Sequence, residues 1–184
     1  MPPEGYREAG KLDIDNDQKQ SVKINMTSLM LMLPFAVVLL IMYVNGGAVS
    51  FDMDITHWVL LFGILAAAII VHELLHGLMF ILLSPDHKAK MGVHMMMPYA
   101  GNPGAFLSRG RYAAVKLLPA VIVTAAFALS LTRLTGTAFY VSYMAMALHL
   151  GSATGDFIAV KMLFALKPDA LASDDGIVVR FYSK

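Results

Sequence analysis

The run His72-Glu73-Leu74-Leu75-His76 holds the residues of this sequence best suited to chemistry. On a helix of 3.6 residues per turn, the two histidines stand one turn apart on one face. Imidazoles on that spacing can share a zinc ion, and Glu73, one step round the helix, can take a proton from a water activated there. The setting sharpens the signal. The chain has three Glu, and Glu4 and Glu8 lie in its polar start. Glu73 instead lies inside the apolar run 57–83, between two of the six His. A carboxylate and two imidazoles at bilayer depth carry a desolvation cost that marks them as functional. The plainer reading is a polar network that only hydrogen-bonds neighbouring helices.

The elements that position this run follow from composition. Of 184 residues, 58% are hydrophobic and 15% charged, against about 45–50% and about 25% in soluble domains. This is the composition of a polytopic membrane protein of one domain. The net charge of +1 and the lack of a basic stretch speak against nucleic acid as a partner. Cysteine is absent, so thiolate ligation is excluded and any zinc must take His and carboxylate ligands. The polar, acidic start argues against a cleavable signal peptide.

The expected fold is an all-α membrane protein with four transmembrane helices and a short β-hairpin-like segment between helices 2 and 3. Residues 27–44 form the first span, with Pro34 inside it and Asn45-Gly46-Gly47 closing it. The second, 57–83, is the motif helix, capped by Asp54 or Thr56 and stopped by Ser84-Pro85-Asp86. Pro98, Gly101, Pro103 and Gly104 argue against a helix in 86–111, and two extended pieces joined by a Gly101–Gly104 turn fit best. Met95, Met96 and Met97 read as adaptable packing there. The third span covers about 113–134, with Lys116 near one end, and the fourth about 137–166, ended by Pro168. Residues 1–25 form a polar tail, whose alternation of Leu12 and Ile14 with Asp13 and Asp15 fits a short strand or a loosely docked segment. The C-terminal stretch 168–184 ends in a turn and a short exposed strand. Lys and Arg concentrate in the N-terminal segment, 86–116 and the C-terminal segment. The positive-inside rule then places both termini in the cytoplasm of a multi-pass plasma-membrane protein.

In that orientation spans two and four run the same way. His72 is eleven residues before Leu83 and Asp156 ten before Leu166, which puts both roughly 15–16 Å from the inner boundary at 1.5 Å per residue. Glu73 and Asp156 are the only acidic residues inside any expected span. Their matching depth brings them together as His₂-carboxylate ligation with a fourth position open, the pattern of catalytic zinc. Asp156 has a plainer alternative, pairing with Lys161 or bonding Thr154 or Ser152. His149, two turns before Asp156, is a second-layer partner, another third ligand or an interhelical hydrogen-bonder. Asn102 and backbone N–H groups of 98–104 are candidates for stabilising an oxyanion.

His72-Glu73-x-x-His76-Gly77, the polar hairpin segment and Gly155-Asp156 on a membrane helix resemble the zincin peptidases among small bacterial and archaeal membrane proteins. More distantly they are similar to the site-2 intramembrane metalloproteases. The resemblance covers about residues 55–166 and implies zinc held by His72, His76 and Asp156, with Glu73 as the base. It makes 26–167 a four-span metallopeptidase domain acting on a membrane protein or peptide substrate within the lipid bilayer. Site-2 proteases place their Asp in an Asn-x-x-Pro…Leu-Asp-Gly context, whereas here it follows Ala153-Thr154-Gly155. Two other classes also use buried His and carboxylate: a membrane metal-binding or transport protein, and a non-catalytic scaffold.

Overall fold

The computed structural model describes residues 2–44, 53–94 and 97–184. In chain order the elements are β1 (Arg7–Asp13), α1 (Gln18–Val44), α2 (Ile55–Leu83), β2 (Lys90–His94), β3 (Met97–Gly101) and β4 (Leu107–Ser108). They continue with α3 (Arg109–Leu131), α4 (Gly136–Ser152), α5 (Thr154–Phe164), β5 (Leu171–Asp174) and β6 (Val178–Ser183). The fold is mostly helical rather than all-α. Both end segments are strands: β1, β6, β5 and β4 form one antiparallel sheet in that order. Of the two readings of the N-terminal alternation, the strand is the one seen.

Among the described residues, three helices are long and apolar enough to cross a membrane: α1, α2 and α3. The side chains of α1 are not buried in the protein, and Leu33, Leu40 and Ile41 on it are exposed. An apolar surface of that extent suits a lipid surround. α1 begins well before residue 27 because Asp17 accepts from the backbone N–H of Gln20 at 3.1 Å, satisfying a donor of the first turn. Asp54 caps α2 by accepting from the N–H of His57 at 3.0 Å. Ser84 ends α2, its hydroxyl donating back to the Phe80 carbonyl at 2.6 Å. The expected closure at Asn45-Gly46-Gly47 lies outside the described residues.

The expected continuous fourth span is instead two helices, α4 of 17 residues and α5 of 11, parted at Ala153. The sequence around the break is Gly151-Ser152-Ala153-Thr154-Gly155. Ser152 donates its hydroxyl to the His149 carbonyl and Thr154 its own to the Gly151 carbonyl. These local bonds compete with the helical ladder, and glycine adds backbone freedom.

Between α2 and α3, β2 pairs antiparallel with β3 from Lys90↔Gly101 to His94↔Met97. The strands are thus closest in sequence at His94 and Met97, and Gly101 pairs with Lys90 at the far end of the ladder, so the expected joining turn at Gly101–Gly104 is not the one that links them. Met95 and Met96 lie outside the described residues. Gly101 ends β3 packed against the backbone of Asp175 and Gly176. β3 is the strand packed along the motif helix, and the Met91 side chain of β2 closes on it: a Cβ on Gly77 would stand 2.6 Å from Met91 Sδ.

The main core joins sheet to helices. Leu12, Val179 and Phe181 of the sheet pack with Phe80 of α2, Tyr112 and Val115 of α3 and Leu163 of α5. β4 runs directly into α3, so the sheet fixes where that helix starts.

Candidate metal centre

His72 and His76 are 5% and 1% exposed, on the face of α2 turned towards α3 and α5. Their Nε2 atoms converge on one atom, Oδ2 of Asp156, at 3.1 and 3.2 Å. Asp156 reaches them from the first turn of α5, just after the Ala153 break. Metal–ligand distances near 2.0–2.1 Å in a tetrahedron imply ligand–ligand spacings of roughly 3.3 Å, close to those seen. His72, Glu73 and His76 also form a cluster whose ligand atoms lie within 4.8 Å of one another and which could hold a metal ion. Two carboxylates thus compete for the place of third ligand. Asp156 touches both imidazoles directly, whereas Glu73 has no hydrogen-bond partner among the described residues and lines the adjacent cavity. That division suits Asp156 to ligation and Glu73 to proton transfer.

The remaining ring nitrogens test whether a cation fits. His76 Nδ1 lies 2.9 Å from the Val115 carbonyl, which can only accept, so Nδ1 carries hydrogen. In the neutral ring Nε2 is then a lone pair aimed at the lone pairs of a carboxylate. Such an arrangement needs a positive charge between the two. A carbonyl on the far nitrogen is also the usual outer partner of a metal-bound histidine. His72 Nδ1 meets His149 Nε2 at 3.1 Å. If His72 is to offer Nε2 as a lone pair, it donates from Nδ1 and His149 keeps its own hydrogen on Nδ1. That His149 atom is buried without a partner among the described residues, so the contact has a cost. The donor set therefore fits a zinc ion: two imidazole nitrogens and a carboxylate oxygen, with outer partners on both rings.

A second layer surrounds Asp156. Lys116 Nζ lies 3.2 Å from Asp156 Oδ1 and 2.9 Å from Asp174 Oδ2. Tyr112 donates its hydroxyl to Asp174 Oδ2 at 3.0 Å. Tyr112 and Lys116 are four residues apart on α3, so both meet the same strand residue. Asp174 belongs to β5, and its Oδ1 accepts from the Gly176 N–H. The C-terminal sheet is thus wired to the histidine pair through one ammonium. Sequence reasoning assigned neither Lys116 nor Asp174 to the site. The available signal for Lys116 is a charge inside an otherwise apolar helix, and for Asp174 there is none in the chain order.

Asn102 takes a different place from the one expected. Its side-chain N–H groups donate to Ser84 Oγ at 2.8 Å and Asp86 Oδ1 at 2.7 Å, and its backbone N–H goes to the Asp174 carbonyl. Both amide hydrogens are committed, which leaves none for an oxyanion. The Asn102 amide, with Ser84 and the Lys88 N–H behind it, holds the Asp86 carboxyl below its ordinary value of 3.8. His57, His87 and His94 lie apart from the pair, with His57 on Asp54, His87 on the Ile81 carbonyl and His94 on Asp15.

A cavity of about 180 Å³ opens beside the cluster. Glu73, Lys116 and Asp156 line it on the helical side, Tyr99 and Ala100 of β3 on another, and Ile177 on the sheet side. β3 is bonded to β2 along one edge and, among the described residues, to no strand along the other.

A family model described as "Putative zincin peptidase" matches residues 65–171. The match includes His72, Glu73, His76, Lys116, His149 and Asp156, and ends just before Asp174. No curated protein and no solved structure matches the chain. With more than half of its length under that model, and with a His-Glu-His cluster able to take a metal beside apolar helices, the chain belongs to the zincin peptidase family.

Proposed function

We propose that the protein is an intramembrane zinc metallopeptidase that hydrolyses peptide bonds of membrane-associated substrates. One observation carries the reading: a single oxygen of Asp156 lies within 3.2 Å of both motif imidazoles, and the neighbouring Glu73 carboxylate stands unbonded at the wall of a cavity. His72, His76 and Asp156 would hold one zinc ion, which lowers the pKa of a water towards about 7 and polarises a carbonyl. Glu73 takes the proton of the attacking water and returns it to the leaving nitrogen. The Val115 carbonyl and His149 fix the orientation of the two imidazoles.

The cavity supports a peptide as substrate. An extended segment can add to the part of the outer edge of β3 that Asp175 and Gly176 leave uncovered, in the cavity that Glu73 also lines. Such pairing also addresses the resistance of helical substrates, whose carbonyls are bonded internally until the helix unwinds. The apolar surfaces of α1, α2 and α3 support a site reached within the lipid bilayer of the plasma membrane. The distribution of Lys and Arg supports cytoplasmic termini and therefore a sheet on the cytoplasmic side. A non-catalytic scaffold has no use for an unpartnered carboxylate beside the histidine pair, and the polar groups converge at one point rather than spreading along a transport path.

Glu73→Gln tests the reading. The variant is expected to keep its zinc and to lose about 100- to 10,000-fold in peptide hydrolysis, measured on the purified full chain. Undiminished turnover would contradict the assignment.

A further inference from the structure

Resting on the peptidase reading above, we propose that Lys116 binds the developing oxyanion, as the electrophile of the site. Acyl transfer needs a donor aimed at the oxygen where charge develops. Asn102 has no free N–H for this. Of the side chains with donor capacity at the cavity wall, Ser152 spends its hydroxyl on the His149 carbonyl and Tyr99 holds its own over Gly92, whereas Lys116 touches Asp156 directly. An ammonium carries three N–H groups. Two carboxylate oxygens face it, Asp156 Oδ1 and Asp174 Oδ2. No third acceptor lies within hydrogen-bond distance among the described residues. Lys116 lines the same cavity as Glu73 and Asp156, is 8% exposed, and is held by Asp174 from the sheet. It is therefore a fixed, water-poor donor next to the motif imidazoles.

The step balances without a redox partner. The water oxygen bonds to the carbonyl carbon, one water proton goes to Glu73, and the carbonyl π electrons move onto oxygen, where the third Lys116 N–H meets them. The C–N bond then breaks with its electrons on nitrogen. Glu73 delivers the proton there, and the carbonyl re-forms as an acid. The substrate oxygen carries a partial charge at rest and close to a full one in the tetrahedral intermediate, so the ammonium's effect falls on the transition state.

The test uses the full chain in mild detergent, loaded with zinc, with an unstructured fluorogenic peptide as substrate. A peptide phosphonamidate mimics the tetrahedral intermediate, and a peptide hydroxamate serves as a metal-directed control. Lys116→Met is expected to keep zinc, to lose about 100- to 1000-fold in kcat and to keep KM within about threefold. Phosphonamidate affinity should fall by a similar factor while hydroxamate affinity stays within about threefold. Unchanged kcat, or parallel loss of both inhibitors with zinc retained, overturns the proposal. If Lys116→Met does not hold zinc, the wild-type complex with the phosphonamidate decides. Nζ within about 3.2 Å of a phosphoryl oxygen supports the role, and Nζ bonded only to the two carboxylates overturns it. Wild-type protein without zinc or hydrolysis sinks the peptidase reading itself. Hydrolysis that needs Glu73 but not Lys116 sinks only the present inference.

Discussion

His72 and His76 differ in how they are held, and the difference is measurable. His76 leans on a backbone carbonyl, which no side-chain substitution removes. His72 leans on His149, whose other nitrogen has no partner among the described residues. Removing an outer partner of a metal-bound histidine commonly costs 10- to 100-fold in affinity. His149→Ala is therefore expected to weaken zinc binding by about 10- to 100-fold, read by competition with a chelator of known affinity. Unchanged affinity would make His149 a packing residue. At this scale the site was partly legible in the sequence. His72, Glu73 and His76 announce themselves by spacing on one helix. The depth of Asp156 and the direction of its helix set it level with the pair, and the structure brings it to both imidazoles; an acid in an apolar run has few places to go. Lys116 was visible as a charge in an apolar helix, but its partner Asp174 lies 58 residues further on (174 − 116). No local rule links the two, since the link is made by the sheet.

At the scale of elements, the sheet and its turns decide where the second layer sits. The β5–β6 turn packs on the end of β3 with backbone against backbone at Gly101. A methyl group there has nowhere to go, and Gly101→Ala is expected to destabilise the fold by about 1–3 kcal/mol, read as a lowered thermal midpoint. Asn102 ties the same corner to Asp86. A carboxyl whose value is depressed in the folded state contributes stability above its ordinary value and loses it as pH falls through the folded one. The wild type should therefore exceed Asn102→Ala in thermal midpoint at neutral pH, and the gap should narrow below pH 3.8, the ordinary value for Asp86. A gap independent of pH would remove Asp86 from the explanation. The helices were legible because apolar runs and caps are local signals. The break at Ala153 was not read, because its cause is a pair of hydroxyls bonding back to carbonyls within a run that still looks apolar. A short strand was legible at each end, but their pairing into one sheet, with β6 inside it rather than exposed, was hidden for another reason. Its strands are two to seven residues long and pair the two ends of the chain, and short edge-rich segments resemble tails.

At the scale of the molecule, both ends of the chain meet in one sheet packed on the inner core. That arrangement demands that the two ends lie on one side of the membrane. The chain has no cysteine, so single cysteines report sidedness cleanly. Cysteines at Glu4 and Lys184 are expected to react with an impermeant maleimide only from the cytoplasmic face, and one at Asp54 only from the other. Labelling of Glu4 and Lys184 from opposite faces would contradict the fold. The same sheet supplies Asp174 to the second layer, so the soluble face and the buried centre should fail together. Phe181, 1% exposed and packed on Tyr112, offers the probe. Phe181→Ala is expected to cost about 3–5 kcal/mol, and zinc retention should fall with it.

Bound metal is the most direct measure of the proposed centre. Elemental analysis of gently extracted full-length protein should find close to one zinc per chain in the wild type and in Glu73→Gln, and little in His72→Ala or Asp156→Ala. Wild-type protein that hydrolyses peptide without a stoichiometric transition metal, or full metal retention in both ligand variants, would contradict it.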